Sequence, residues 1–351
     1  MSRIFHVDVE EFAFGFPPRI ASFKKNGTTY AVNAIPLGGY VKIKGEEGTV
    51  DPNDKNSFAN QPVWKRAIIV IAGVVFNIVL SFIILSILFS VGMPAVVDST
   101  TINELVKSGA RIKNKEIIIN DVAPSSPAVD KLKANDRIIG FGITNNQNKN
   151  NTNTFMADIY TLNGFQSFVD MHKGEDIALK IKRDDKVSVV NVIPRVNPPE
   201  GQGAIGIAYM GAITYTYPFG RNIVEAWKYI VQSIDLMFHS IGKAFASIFH
   251  FKTQTQEVAG PVGIAVLTQK ISKMGSGFFF AFMASLSINL AFMNLLPIPA
   301  LDGGKLLFLL FEQIKGSALN KKFENYATIG GFAFLMILVL IVTIKDVISL
   351  F

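Results

Sequence analysis

The chain has 351 residues, 49% of them hydrophobic and 17% charged, with a mean hydropathy of +0.34; soluble globular chains carry about 25% charged residues, so the composition points to a bilayer. The net charge of +7 is not gathered into a basic stripe interleaved with aromatics, which argues against nucleic acid as a partner. Cysteine is absent, which excludes disulfides and thiolate metal sites.

Met1 leads into Ser2-Arg3-Ile4-Phe5-His6-Val7-Asp8 with no apolar h-region, so no signal peptide is expected. Residues 22–32 read as a β-hairpin, because Asn26-Gly27 accepts the positive φ angles of a type I′ turn. A second strand-like piece runs over residues 34–44, where Gly38 and Gly39 would let another backbone, including an extended peptide, come close. An ordinary cytoplasmic β-ribbon would give the same pattern.

Residues 67–93 carry no charge and as a helix measure roughly 40 Å, enough to cross a core of about 30 Å with tilt. Lys42, Lys44, Lys65 and Arg66 precede that span and no cation follows it over Pro94–Asp98, which puts its N-terminal side in the cytoplasm. Residues 100–197 are polar, with strand-like runs at Glu116–Asn120 and Ile177–Lys182, and predict a small folded domain on the outer face. Asn145–Asn153 reads as a surface loop, and Pro198, Pro199, Gly201 and Gly203 as a domain boundary.

Over residues 219–251, Ile223, Trp227, Ile230, Ile234, Phe238 and Ile241 recur at steps of three and four, with charges on other faces. This predicts an amphipathic helix, lying on the membrane or packed on the outer domain. Two further uncharged stretches, 275–301 and 327–344, are long enough to span. Lys305, Lys315, Lys321 and Lys322 lie between them and mark that loop as cytoplasmic, so the three spans alternate without conflict.

Chemistry concentrates in residues 287–304, Ser-Ile-Asn-Leu-Ala-Phe-Met-Asn-Leu-Leu-Pro-Ile-Pro-Ala-Leu-Asp-Gly-Gly. Pro297 and Pro299 break a helix, since each lacks a donor and clashes with the preceding turn. The freed carbonyls need protein, water or an ion, because lipid cannot serve them. Asp302, just past the break, is costly there unless neutralised. A metal ion would do that, and so would a salt bridge to a lysine.

This segment resembles the third zinc-ligand motif of the site-2 proteases, particularly the bacterial branch that regulates sigma factors. Four more segments agree in order. Residues 9–16 (Val-Glu-Glu-Phe-Ala-Phe-Gly-Phe) are similar to the stretch after the family's first helix, and residues 35–42 (Ile-Pro-Leu-Gly-Gly-Tyr-Val-Lys) to its membrane-dipping β element. Residues 72–77 (Ala-Gly-Val-Val-Phe-Asn) resemble its Asn-bearing second helix, and residues 260–264 (Gly-Pro-Val-Gly-Ile) the Gly-Pro-Val-Gly before its third. Residues 118–128 and 132–139 look like parts of a PDZ domain, with Asn135 where the family usually has Gly; Asn also tolerates the left-handed conformation.

The resemblance implies a polytopic α-helical membrane protein with an inserted extracytoplasmic PDZ-like, mainly β domain and a membrane-dipping β-hairpin element. Its parts would be a remnant after the first helix (1–18), the β element (19–48), spans at 67–93, 275–301 and 327–344, the PDZ-like domain (100–197) and the amphipathic helix (219–251). It further implies Zn2+ as cofactor, Asp302 as the carboxylate ligand, Pro297 and Pro299 as shapers of the broken helix, and Asn77, Asn294, Gly38 and Gly39 as substrate-binding positions. Asparagine suits that task because it offers donor and acceptor to a peptide backbone without adding charge. The implied activity is intramembrane cleavage of single-pass membrane proteins, such as anti-sigma factors or signal-peptide remnants, in a bacterial cytoplasmic membrane.

The family's chemistry also needs His-Glu-x-x-His, whose i, i+4 spacing puts two imidazoles on one helix face with a Glu to activate water. No such motif occurs here, so no catalytic residue is assigned; His6, His172, His239 and His250 fall in no such pattern. The expectation is that coding sequence upstream of Met1 supplies the motif and a further helix. The alternatives are a proteolytically inactive scaffold that binds peptides through its PDZ-like domain, and a transporter using the broken helix as an ion site. The transporter would need a second broken helix, which the sequence lacks.

Overall fold

The computed structural model describes residues 1–46, 53–96, 99–144, 154–156, 162–183, 186–250, 260–317 and 319–348. The elements in chain order begin with β1 (Val9–Lys25), β2 (Thr28–Ile43), α1 (Val63–Val91), β3 (Met93–Val96), α2 (Ser99–Lys107), β4 (Arg111–Val122), β5 (Arg137–Ile143) and β6 (Thr154–Met156). They continue with α3 (Leu162–Met171), β7 (Ile177–Arg183), β8 (Lys186–Val192), β9 (Ile207–Thr216), α4 (Arg221–His250), α5 (Pro261–Lys273), α6 (Ser276–Leu295), α7 (Asp302–Lys315) and α8 (Lys321–Ile348). The Asn145–Asn153 loop lies outside the described residues.

Among the described residues, α1, α6 and α8 are long and apolar enough to cross a membrane. Their limits differ from the uncharged windows for physical reasons. The first and third helices take in flanking Lys and Arg, which form helix well and can carry their charge outward on a long stem. Helix α6 stops at Leu295 rather than 301, because Pro297 and Pro299 cannot continue it. Helix α8 exposes Phe332, Ile337, Leu340, Ile341 and Ile344 among other apolar side chains, a surface suited to lipid.

The chain divides into two compact units. The first comprises Met1–Leu80, Met237–Pro261 and Ser287–Phe351. Its hairpin turns at Asn26 (φ 52°) and Gly27 (φ 81°) with Lys25 opposite Thr28, as a two-residue positive-φ turn requires. Further along β1, Phe12 is paired on both sides, with Val41 and with Tyr30. Gly15 permits this doubling back: at φ +82° a Cβ would sit 2.6 Å from the Ile35 carbonyl oxygen. The buried Asn33 side chain donates to the Gly15 carbonyl at 2.9 Å. Phe12, Phe14, Ile20 and Phe23 are exposed on this sheet. Val7, Phe58, Ile69 and Val70 form a small core with Phe5, Ile43 and Leu306, which joins the end of the sheet to α1 and α7.

The second unit comprises Ser81–Leu236 and Val262–Leu286. It holds a seven-stranded sheet in the order β3-β9-β4-β5-β7-β8, with β6 beside β5. Strand β4 shows why three successive isoleucines stand in the sequence. Ile117 and Ile119 face a core with Phe141, Phe165 and Leu179, while Ile118 points the other way onto Ala212 and Met274; a strand covered on both faces loses the apolar–polar alternation. Asn135 takes φ 71° and its amide donates to the Ile119 carbonyl at 2.7 Å. The fully buried Asp136 carboxylate accepts two bonds from Arg183, each 2.6 Å.

The sheet does not end at the expected boundary near 198–203. Ala204 and Ile205 enter the same core, the Arg195 amide donates to the Ala204 carbonyl at 2.9 Å, and β9 then pairs along the length of β4. Proline and glycine here mark a tight turn inside one sheet. Helix α4 packs on protein within this unit, burying Ala226 and Ile230, bonding Asn222 Nδ2 to Ser90 Oγ at 2.7 Å and setting Trp227 edge-on to Phe82.

Candidate functional site

The break after α6 is built by its prolines and closed by its glycines. The Leu296 amide reaches back to the Met293 carbonyl at 3.1 Å, Ile298 to Leu296 at 2.7 Å, and Leu301 to Ile298 at 2.9 Å. A tight chain of turns thus carries Pro297 and Pro299 and delivers Asp302 to the first turn of α7. That helix then folds back against the turns. A Cβ on Gly303 would lie 2.3 Å from the carbonyl oxygens of both Leu295 and Leu296, and one on Gly304 would lie 2.2 Å from that of Ile298. Both glycines are buried, and no other residue fits so near backbone on that side.

Asp302 is half-buried and lies near α1 at Gly73, where an added Cβ would stand 3.7 Å from its Oδ2. Removal from water pushes the Asp302 carboxyl above the ordinary carboxylate range; Lys305 pulls it down and Glu46 adds to the rise. Asn77 is one helical turn beyond Gly73 on α1, and its backbone carbonyl accepts the Ser287 hydroxyl at 3.2 Å. Asn294 is half-buried, two turns beyond Ser287 on α6 and hence on the same side of that helix. Gly39 is opposite Phe14 in the sheet, so close that a Cβ would be 2.5 Å from the Ala13 carbonyl oxygen. Gly38 precedes it in β2.

The structure therefore brings Asp302 toward the Gly73–Asn77 face of α1, and brings α6 to that helix through Ser287. The sheet carrying Gly38 and Gly39 reaches α7 through other residues, namely Leu306 in the shared core and the Glu46–Lys305 ion pair. Arg66 of α1 and Glu312 of α7 make a further half-buried ion pair at 2.5 Å. Reading the sequence gave Gly73 and Ser287 no role beyond their motifs, took Lys305 only as a marker of the cytoplasmic side, and did not single out Glu46 or Glu312. The i, i+4 spacing of Gly73 and Asn77 was the available signal for the first; the others depend on contacts between distant segments.

Asp302 is a suitable oxygen donor for a divalent cation, and the side-chain-free surface at Gly73 leaves room beside it. Among the described residues, however, no group of three or more His, Asp or Glu side chains could enclose a metal. His172 is held by its own helix, with Nδ1 2.7 Å from the Phe168 carbonyl oxygen. The donor present is right in kind and short in number.

The sequence profile of peptidase family M50 matches residues 1–338, and the chain belongs to that family. Among its relatives are a candidate zinc metalloprotease of Clostridium acetobutylicum, 30% identical over 99% of this chain and 91% of its own length, and the regulator of sigma-W protease RasP of Bacillus subtilis, 26% identical over 97% of this chain and 91% of its own. A chloroplastic membrane metalloprotease of Arabidopsis thaliana, ARASP, is 27% identical over 98% of this chain and 73% of its own length.

Proposed function

We propose that this protein is a zinc-dependent endopeptidase of a bacterial cytoplasmic membrane that cuts single-pass membrane proteins, with Asp302 as the carboxylate zinc ligand. The observation that carries the reading is the half-buried Asp302, delivered by a double-proline break and packed glycines to the Gly73 face of an apolar helix. Zinc bound there would supply a Lewis acid and an activated water. This chain's own residues hold the carboxylate on the first turn of α7, present Asn77 and Asn294 to a substrate backbone, and offer the sheet at Gly38 and Gly39 to an unwound strand. Anti-sigma factors and signal-peptide remnants are the proposed substrates; the name of the Bacillus relative, regulator of sigma-W protease, is in line with the first. The seven-stranded unit is read as a PDZ-like domain on the extracytoplasmic side, supported by the lysines that flank the spans on the other.

The remaining ligands and the general base would come from a His-Glu-x-x-His that the 351 residues do not contain. The test uses the protein isolated from its native membrane, assayed for zinc content and for cleavage of a single-pass membrane substrate. Loss of both in Asp302→Ala is expected. Equal zinc in wild type and variant would overturn the reading. The missing motif favours one second reading, an inactive scaffold that binds peptides through the sheet domain; it predicts peptide binding without zinc or cleavage.

A further inference from the structure

No cation follows α1 over residues 94–98, yet the fold brings cations back to that end of the helix from further along the chain. The Lys113 ammonium, at a register shift in β4, donates to the Val91 carbonyl at 2.9 Å, where the helix dipole favours positive charge. Arg111, at the start of β4, is opposite Thr216 of β9. Tyr217, next after Thr216, donates its amide to the Phe89 carbonyl at 2.8 Å, and its hydroxyl is hydrogen-bonded to Ser108 Oγ at 2.7 Å. Ser108 directly follows Lys107, the last residue of α2. Lys107, Arg111 and Lys113 are exposed and so gather round the last turn of α1. Of the nearby acids, Glu116 pairs with Arg137 and Glu225 with Arg221 and Lys228. Glu104, one turn before Lys107 on α2, offsets one of the three charges, and the group stays cationic. The surface leading up to it is apolar. Ile83, Ile87 and Val91 are exposed at i, i+4 and i+8, and make one stripe that climbs α1 to Lys113. Phe219, 93% exposed, stands in the turn before α4, where Asn222 ties that helix to Ser90.

We propose that Lys107, Arg111 and Lys113 form a docking site for the headgroup phosphate of an anionic phospholipid, whose acyl chains lie along Ile83, Ile87 and Val91. The leaflet is the one at the C-terminal end of α1, the outer one in the orientation proposed above. Two features commit the site to a lipid. The cations cap a stripe already suited to hydrocarbon, so one molecule with a charged head and apolar tails meets both. The exposed Phe219 beside them fits the boundary where aromatic side chains settle between headgroups and acyl chains. Basic residues held at such a surface attract anionic lipid through charge, an attraction that falls off within a Debye length. The inference requires α1 to span the bilayer and does not depend on Asp302.

The experiment uses tryptophan quenching. Trp64→Phe in the full chain leaves Trp227 alone of the two tryptophans, edge-on to Phe82 of α1. The protein is reconstituted in phosphatidylcholine vesicles, and brominated phosphatidylglycerol or brominated phosphatidylcholine is mixed in at rising fractions. A preference of about fivefold or more for the anionic lipid is expected, since each cation at a headgroup contributes a factor of about five. Lys107→Gln, Arg111→Gln and Lys113→Gln together should bring the two lipids to within about twofold. Lys133→Gln, an exposed charge in the turn before β5, should leave the preference intact. Salt at about 1 M, where the Debye length is about 3 Å, should weaken it. Inorganic phosphate at matched ionic strength should not compete. Equal quenching by the two lipids in the starting protein would overturn the proposal, and so would a preference that survives the triple change. Displacement by free phosphate at matched ionic strength would also overturn it, since the site would then take the ion and not the lipid.

Discussion

Gly304→Ala tests whether the turns after α6 and the start of α7 form one close-packed unit. The new methyl would lie 2.2 Å from the Ile298 carbonyl oxygen and 2.5 Å from Pro299 Cα. Both obstacles are backbone, so relief requires the helix and the turn to separate by about 1 Å, and such overpacking costs about 1–3 kcal/mol. Against this stands the helix preference of Ala over Gly, worth about 1 kcal/mol. Gly330→Ala supplies the reference, since an added Cβ on that α8 glycine meets nothing within 4 Å. Both substitutions gain the helix term, so the difference between them isolates the packing penalty: Gly304→Ala should be less stable than Gly330→Ala by about 1–3 kcal/mol. Thermal unfolding in detergent micelles measures this. Two variants of equal stability would refute the close approach. A displaced α7 would also misplace Asp302, so on the proposed role of that residue as a zinc ligand, zinc affinity should fall in Gly304→Ala alone.

Two further outcomes concern the seven-stranded unit. Burial, reinforced by Tyr217 and Tyr229, pushes the Tyr215 phenol well above the ordinary tyrosine range; the neutral form therefore stabilises the fold at pH values below about 10 and that contribution is lost as pH rises beyond it. Tyrosinate absorbance should show a late-ionising phenol that Tyr215→Phe removes, and a phenol titrating in the ordinary range would contradict it. Arg183→Ala removes both guanidinium bonds from the buried Asp136 and should destabilise the unit by about 3 kcal/mol in chemical unfolding; a loss below about 1 kcal/mol would mean the pair is solvent-screened.

What the sequence revealed depended on whether the cause was local. The long apolar runs needed no partner to be read, and the Asn26-Gly27 turn is set by two residues. The ends of the helices were less legible, because Lys65, Arg66 and Lys321 are compatible with either helix or loop until the flanking chain is fixed. The tight Pro198–Gly203 turn was read as a boundary because pairing of β9 with β4 joins residues about ninety positions apart, and nothing near residue 200 signals it. Ile117-Ile118-Ile119 was legible as a strand, but which isoleucine faces Phe141 and which faces Met274 follows only from the distant segments packed on its two faces. At the site, Asp302 stood out by chemistry, whereas Glu46 and Lys305 looked like ordinary charges near the ends of apolar segments.

The two paired features of the motif, Pro297 and Pro299 before the aspartate and Gly303 and Gly304 after it, solve one problem together. Ending α6 with prolines leaves the last carbonyls of the helix without intrahelical partners, a liability in a medium that offers no hydrogen bonds. The glycines let the next helix close directly over the Leu295 and Leu296 carbonyl oxygens, each only 2.3 Å from where a Cβ of Gly303 would be, so those oxygens are covered by protein. The same closure swings the first turn of α7 toward Gly73 and carries Asp302 with it. Placing a carboxylate at that point and shielding the broken helix are therefore one structural act, which is why enlarging a glycine two residues from the aspartate should disturb both stability and the position of Asp302.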